Sequence, residues 1–447
     1  MTGDYVYRDL TKGSISKGLI AFAVPMIAGN ILQQFYNIAD TLIVGRALGT
    51  GALASVGSAY TLMTFLTSVF LGLSMGAGAL FSIYCGKNDT ERLKKSVALS
   101  FVMIMTVTVM INALVYAFVN PILRFLQIPD ELYFSMREYL IIIFLGLIAT
   151  SLYNFFACLL RAVGNSVTPL RFLGVSTVMN IVLDIVFVIY LDFGIAGAAA
   201  ATVFSQYVSG LGIMIYFLKK CSRFRPQKRH FKFDRAVFAE ICDLSALTCA
   251  QQSAMNFGIL LIQRLVDSFG AVTMAAFAAA VKIDTLAYLP VQDFGNAFST
   301  FAAQNYGAQN SERLKKGFRT ATALSAVFSA VMSAAVCIFA KPLMSLFISS
   351  EETEVIACGV RYLRIEGAFY VGIGCLFLLY GFYRALKRPS MSLILTVISL
   401  GLRVALAYIL APVIGETGIW IAIPIGWFVA DLVGYGYYFL KKKKLLN

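Results

Sequence analysis

The stretch Gly86-Lys-Asn-Asp-Thr-Glu-Arg-Leu-Lys-Lys95 returns later in the chain as Gly307-Ala-Gln-Asn-Ser-Glu-Arg-Leu-Lys-Lys316. Each copy follows the second long apolar run of its half. Arg161-Ala162, after the fourth run, is matched by Arg384-Ala385 after the tenth. A loop duplicated in step with a pattern of apolar runs marks an internal structural repeat. The runs fall at about 18–44, 53–84, 96–120, 138–160, 168–191, 194–218, 237–263, 272–303, 318–340, 362–384, 390–412 and 417–440, on the criterion of ~20 apolar residues per crossing. The first, second, seventh and eighth exceed that minimum, so tilt, kinks or protruding ends are expected there.

Composition points the same way. Of 447 residues, 59% are hydrophobic and 13% charged, more apolar surface than a soluble protein of this length can hide. The polar start, Met1 to Lys17, and the long first run do not read as a cleavable signal peptide. The eight cysteines (Cys85, Cys158, Cys221, Cys242, Cys249, Cys337, Cys358, Cys375) form no CxxC pair, and neither disulfides nor a structural metal site is expected.

A net charge of +14 raises the question of nucleic acid, and the location of the bases answers it. One side of the alternating topology receives Arg8 to Lys17, Lys87 to Lys95, Arg161 to Arg171, Lys219 to Arg235, Arg313 to Arg319, Arg384 to Arg388 and Lys441 to Lys444. That side holds 28 bases; the other holds 7 (Arg46, Arg124, Arg137, Arg264, Lys341, Arg361, Arg364), and Lys282 and Arg403 lie inside runs. Such asymmetry reads as membrane topology rather than nucleic-acid binding, with both termini cytoplasmic in the inner (cytoplasmic) membrane and an even number of crossings. Six crossings separate equivalent points of the repeat, so the copies share one orientation and their pseudo-two-fold axis lies along the membrane normal. The expected fold is an all-α integral membrane protein of twelve transmembrane helices in two six-helix bundles. The amino-terminal lobe is placed at 1–218, a basic cytoplasmic linker at 219–235, and the carboxy-terminal lobe at 236–447.

Charges inside a bilayer cost roughly 2.5–3.5 kcal/mol each on insertion scales, so those that remain need an account. Asp40 lies in the second half of the first helix with Gln33, Tyr36 and Asn37 near it. Tyr36 and Asp40 are four apart and share a helix face, as do Asn180 and Asp184 on the fifth helix. Thr202 is in the first half of the sixth. Two carboxylates with amide and hydroxyl oxygens nearby offer hard ligands to a small cation, or a place to carry a proton. The alternative is that these groups only fasten helices to one another. Carried through the repeat, Asp184 falls on Ala407, Asn180 on Arg403 and Asp40 within Gly258 to Leu261, so an acidic site is expected in one half only.

The segment Gln33-Gln-Phe-Tyr-Asn-Ile-Ala-Asp-Thr-Leu-Ile-Val-Gly-Arg46, the turn and helix from Gly49 to Gly57, and the duplicated Glu-Arg-Leu-Lys-Lys loop resemble the multidrug and toxic compound extrusion (MATE) family. The resemblance spans essentially the whole chain. It implies an exporter of organic cations driven by inward flow of H⁺ or Na⁺, with no other cofactor. It implies an ion and proton site at Asp40, Asn180, Asp184 and Thr202, which match the family's amino-lobe acids and their neighbours. Family members with a carboxy-lobe site carry acids on helices seven and ten. Here the seventh offers only Gln251, Gln252, Asn256 and Gln263, and Glu366 is placed near the start of the tenth, which favours the amino-lobe site.

In the second half, Asp284 and Asp293 are candidates for contact with a cationic substrate. Lys282 and Arg403 are expected to be its buried bases, with ion pairs such as Arg403 with Asp431 or Asp293. Tyr36, Asn37, Met63, Met179, Met255, Tyr288 and Phe294 are candidates for a cavity lined by aromatic and flexible side chains. Pro25 marks a possible bend that would move Asp40 relative to the fifth helix. An enzyme is not expected: the one histidine, His230, is in the linker, and neither HExxH nor GxSxG occurs. A channel lacks a repeated filter sequence. The alternative function is a flippase of lipid-linked precursors on the same fold. The expected partners are small organic cations and membrane lipid, with the monomer as the working unit.

Overall fold

The structure, a computed structural model, describes residues 8–125 and 130–446; the first seven residues of the polar amino terminus and the side chains of Lys443 and Lys444 in the basic tail lie outside that description. Among the described residues every regular element is helical. The apolar runs become α1 (Ile15–Gly49), α2 (Ser55–Gly86), α3 (Thr90–Ala117), α4 (Asp130–Ile143 continuing as Gly146–Ala162), α5 (Val167–Tyr190) and α6 (Gly194–Lys220). The second set is α7 (Arg235–Asp267), α8 (Ala271–Gly307), α9 (Ser311–Ser345), α10 (Thr353–Gly367 continuing as Tyr370–Ala385), α11 (Pro389–Ile414) and α12 (Glu416–Leu446). Nine of these are long and apolar enough to cross a membrane, eleven if each bent pair is one span. The twelfth, α7, has 33 residues and carries amide side chains along its length. Val327, Val331 and Ile338 on α9 remain 62–69% exposed, the face such a helix turns to lipid.

The repeat is structural as well as textual. Asn88 and Gln309 both adopt left-handed backbone (φ 57° and 56°). The next residues, Asp89 and Asn310, then cap the following helices by accepting from the amides of Arg92 (3.0 Å) and Arg313 (3.1 Å). The long fourth and tenth helices also bend alike, by 42° and 52°. At each bend the backbone bonds tighten to i−3 pairing, as in Leu147 to Phe144 and Phe369 to Glu366. The fifth helix departs in its own way, turning π-helical over Ile185–Tyr190 immediately after Asp184.

Among the described residues the chain forms two compact units: Arg8 with Ala28–Cys249, and Asp9–Ile27 with residues 250–446. The first holds the opening half of α7, and the second the opening of α1. In the first unit, Gly72 lets α2 lie against α7: a Cβ there would be 2.5 Å from the Cys249 Cα. Glu91 receives Arg229 (3.0 Å) and His230 (3.1 Å), and Lys95 meets Asp234 at 2.7 Å, fastening the linker. In the second unit, Gln304, Asn305 and Arg313 hold the backbone of Leu10. A cluster of Phe298, Phe318, Phe382 and Tyr438 rings forms its core near that end. Deeper in, Gly381 and Gly295 bring α10 and α8 into backbone contact, for a Cβ on Gly381 would lie 2.5 Å from the Gly295 carbonyl oxygen.

Two outcomes are expected. Gly381→Val forces α8 and α10 apart, at about 1–3 kcal/mol for overpacking, and the detergent-solubilised protein should melt several degrees lower than wild type; an unchanged melting temperature would contradict this contact. The Lys95 ammonium and the Val237 amide hold the Asp234 carboxyl below its ordinary 3.8. A depressed carboxyl stabilises above its ordinary value and loses that contribution as pH falls through the lowered one. Linker protection from trypsin should therefore be uniform across neutral pH in wild type and weakened at every such pH in Lys95→Met.

Candidate functional site

α1, α4, α5 and α6 of the first unit bring one group of side chains together. Asn180 and Asp184, one turn apart on α5, are 2% and 0% exposed. With its amide turned toward Asp184, Asn180 donates to Asp184 Oδ2 at 2.8 Å and accepts from the Thr202 backbone N–H of α6 at 3.2 Å. Tyr36 Oη on α1 meets Thr202 Oγ1 at 3.3 Å. One turn on from Tyr36, the Asp40 carboxyl is within hydrogen-bond reach of the Asp184 carboxyl. Each acid keeps a buried Oδ1 with no hydrogen-bond partner. Buried Tyr139 on α4 adds its phenol to the electrostatic surroundings of both. Nothing in its own stretch of sequence distinguishes Tyr139 from a packing tyrosine.

Two carboxyl oxygens are both acceptors, so they approach one another only with a proton or a cation between them. The same four residues, Asp40, Asn180, Asp184 and Thr202, supply carboxylate, amide and hydroxyl oxygens. That is the donor set of a hard monovalent or divalent cation and not of a thiophilic metal. Among the described residues no group of three or more His, Cys, Asp or Glu side chains could hold a metal.

A second buried acid pair lies in the second unit, where the sequence reading expected none. Asp284 on α8 and Glu366 on α10 are each 3% exposed, with their carboxyls within hydrogen-bond reach of one another. Tyr370 donates to Asp284 Oδ1 at 2.5 Å, and Tyr362 bonds Glu366. The apolar run begins at 362, which placed Glu366 near the start of its helix. The helix itself begins at Thr353, and Glu366 stands just before the bend at Ala368 and Phe369, in mid-span.

The remaining expectations resolve as follows. Lys282 is exposed and Arg403 half-buried, not buried; among the described residues the fully buried base is Arg384 (4%), which donates to Asn296 at 3.1 Å and Ser299 at 3.4 Å. Arg384 sits three residues before the left-handed turn residue Lys387 (φ 55°), close enough to the end of its helix to have been counted with the loop bases. Arg403 forms no ion pair with Asp431 or Asp293 among the described residues; it acts electrostatically on Asp284 and Glu366. Tyr288 lies within the influence of the same acids, its ring 6.2 Å from Phe377. Met63 packs against the core of the first unit. Asp293 is buried on α8, and Asn37, Met179, Met255 and Phe294 are each half-buried.

Comparison with known proteins bears on the whole chain. The MatE family model matches it twice, over residues 25–186 and 248–409. The probable multidrug resistance protein YpnP of Bacillus subtilis is 30% identical over 431 residues, 96% of each chain. The FAD transporter of Shewanella oneidensis is 23% identical, over 97% of this chain and 96% of that one. A MOP superfamily transporter from Pyrococcus furiosus has the same fold, with a TM-score of 0.93 at 24% identity over 99% of both chains.

If Asp40 and Asp184 hold one another, their substitutions must be non-additive. Asp40→Asn, Asp184→Asn and the double variant should show a coupling of about 0.5–3 kcal/mol in thermal unfolding, since neighbours that share a partner do not contribute independently. Additive losses would mean that the two carboxyls do not interact.

Proposed function

Because this chain belongs to the MatE family, whose members are transporters, we propose that it is an H⁺- or Na⁺-coupled antiporter that exports organic cations from the cytoplasm. The observation that carries the reading is the Asp40–Asp184 pair, buried in the first unit, with Asn180 and Thr202 on it and one oxygen of each acid unspent. The relatives named for multidrug resistance support the direction and breadth of transport. The protein works as a monomer in the cytoplasmic membrane, with both termini on the cytoplasmic side, where the bases concentrate.

The chemistry is competition for charge. A proton or Na⁺ entering from outside bridges the two carboxyls and removes the negative charge that a cationic substrate would seek. The ion-loaded protein then rocks to open inward, gives up the ion and takes substrate from the cytoplasm. Ion and substrate must weaken one another by the same factor for this exchange to be coupled. The first helix is suited to transmit the change: it carries Pro25 before the acid and a left-handed break at Gly49 (φ 83°) after it. The π-helical turn following Asp184 gives α5 a second adjustable point beside the site.

Ethidium extrusion from proteoliposomes, under an imposed pH gradient and separately an imposed Na⁺ gradient, tests the reading. Wild type should follow one gradient, and Asp184→Asn, folded and inserted, should lose at least tenfold in gradient-driven rate. Unchanged coupling in Asp184→Asn and in Asp40→Asn would remove these residues from the mechanism. Absence of extrusion under both gradients would remove the function.

A further inference from the structure

Between α6 and α7 the chain runs through the linker, residues 219–235, which holds eight bases (Lys219, Lys220, Arg223, Arg225, Lys228, Arg229, Lys232 and Arg235) against one acid, Asp234. Two 3₁₀ turns shape it, Ser222–Phe224 and Lys228–Phe231. Its inner face is pinned to the first unit. Cys221 and Phe224 join a buried apolar core, and buried His230 accepts from the Gln227 amide on Nδ1 at 2.8 Å and meets Glu91 through Nε2 at 3.1 Å. Asp234 is engaged by Lys95. With the inner face fixed, the outer face is fixed too. It carries all eight bases, every one exposed, together with Phe231 (49% exposed) and Phe233 (68%).

Charge and apolar surface on that face call for a partner that answers both. Among the described residues Arg225, Lys228, Lys232 and Arg235 make no ion pair, which leaves their charge to an anion outside the protein. The two phenylalanines need an apolar covering. A soluble polyanion supplies only the first. A bilayer surface with acidic headgroups supplies both, since it attracts basic segments next to a membrane helix and takes aromatic rings at headgroup level. The position fits as well. The Phe233 ring packs on Phe238 of α7 at 5.2 Å, and Cys242, one turn further along the same face, reaches Met103 Sδ of α3 at 3.9 Å. Beside Met103, α3 presents Val102, Val109 and Met110 at 49–59% exposure. The aromatic patch continues the apolar outer wall of the first unit beyond the end of its helices.

We propose that the outer face of the linker is a docking surface for anionic phospholipid. Lys228, Lys232 and Arg235 engage the lipid phosphates, and Phe231 and Phe233 enter the headgroup layer. The contact anchors the joint between α6 and α7 to the bilayer, so the stability of the protein follows the acidic lipid content of its membrane. Neither the buried acids nor a transported substrate enters the proposal, and it stands or falls apart from the export reading.

The test titrates the detergent-solubilised full chain with phosphatidylglycerol, phosphatidylcholine or tripolyphosphate and follows the melting temperature, which a ligand of the folded state raises. Wild type should gain several degrees with phosphatidylglycerol and little with the other two. Each base near an acidic lipid surface contributes roughly fivefold in affinity. The variant Lys228→Gln, Lys232→Gln, Arg235→Gln should therefore need about tenfold more phosphatidylglycerol, or beyond, for the same gain. Phe231→Ser with Phe233→Ser should also shift the titration, whereas Lys316→Gln with Arg319→Gln, bases outside the linker, should leave it in place. If the triple variant does not fold, Lys232→Gln alone should shift it about fivefold. Equal gains from the two lipids, or linker variants that titrate like wild type, would overturn the proposal. So would a control variant that shifts as far as the linker variants, since the preference would then belong to positive charge anywhere on that side. A gain from tripolyphosphate equal to that from phosphatidylglycerol, untouched by the phenylalanine substitutions, would assign the surface to a soluble anion instead.

Discussion

A carboxyl group in the hydrocarbon layer has no water to solvate it, and its charge must be met by a donor, a proton or a cation. Much of the arrangement in this protein answers that constraint. In the first unit the answer is a pair of acids from α1 and α5, steadied by an amide one turn away and a threonine on the next helix. In the second it is a pair from α8 and α10, each acid held by a tyrosine. In the second unit Glu366 and Tyr370 flank the bend of α10, and in the first Tyr139 on α4 adds its phenol to the surroundings of the acids.

The two halves also show how a repeat diverges. Their turns and caps match down to single hydrogen bonds, because each satisfies amide groups that the first turn of a helix leaves unpaired, and their fourth and tenth helices bend alike. The interiors are not conserved. An amide at Asn180 becomes a guanidinium at Arg403, and acids on the first and fifth helices are exchanged for acids on the eighth and tenth. Backbone geometry is required of both copies, whereas interior polarity is free to differ as long as each buried polar group finds a partner.

The elements were legible because their signals are local. Each of the twelve apolar runs became a helix or a bent helix pair, and their ends lie within a few residues of the duplicated loops. The four-residue spacing of Asn180 and Asp184 announced a shared face, and that face is the one that meets Thr202 and Asp40. Glu366 was misplaced because the polar first turns of α10 precede its apolar run. Lys282 was taken for a buried base because a run of apolar neighbours says nothing about which face of a helix meets lipid or water.

By itself, then, the sequence determined the helices, their number, the repeat and the residues of the first acid pair, since these follow from periodicity and from the cost of charge in an apolar segment. Only the tertiary structure decided that Asp284 meets Glu366, that Arg403 faces them rather than Asp431, and that Tyr139 joins the first site. Those are meetings between side chains far apart in the chain, set by where helices bend and how closely glycines let them approach. No local pattern encodes that, because the same sequence periodicity is compatible with many ways of turning one helix against the next.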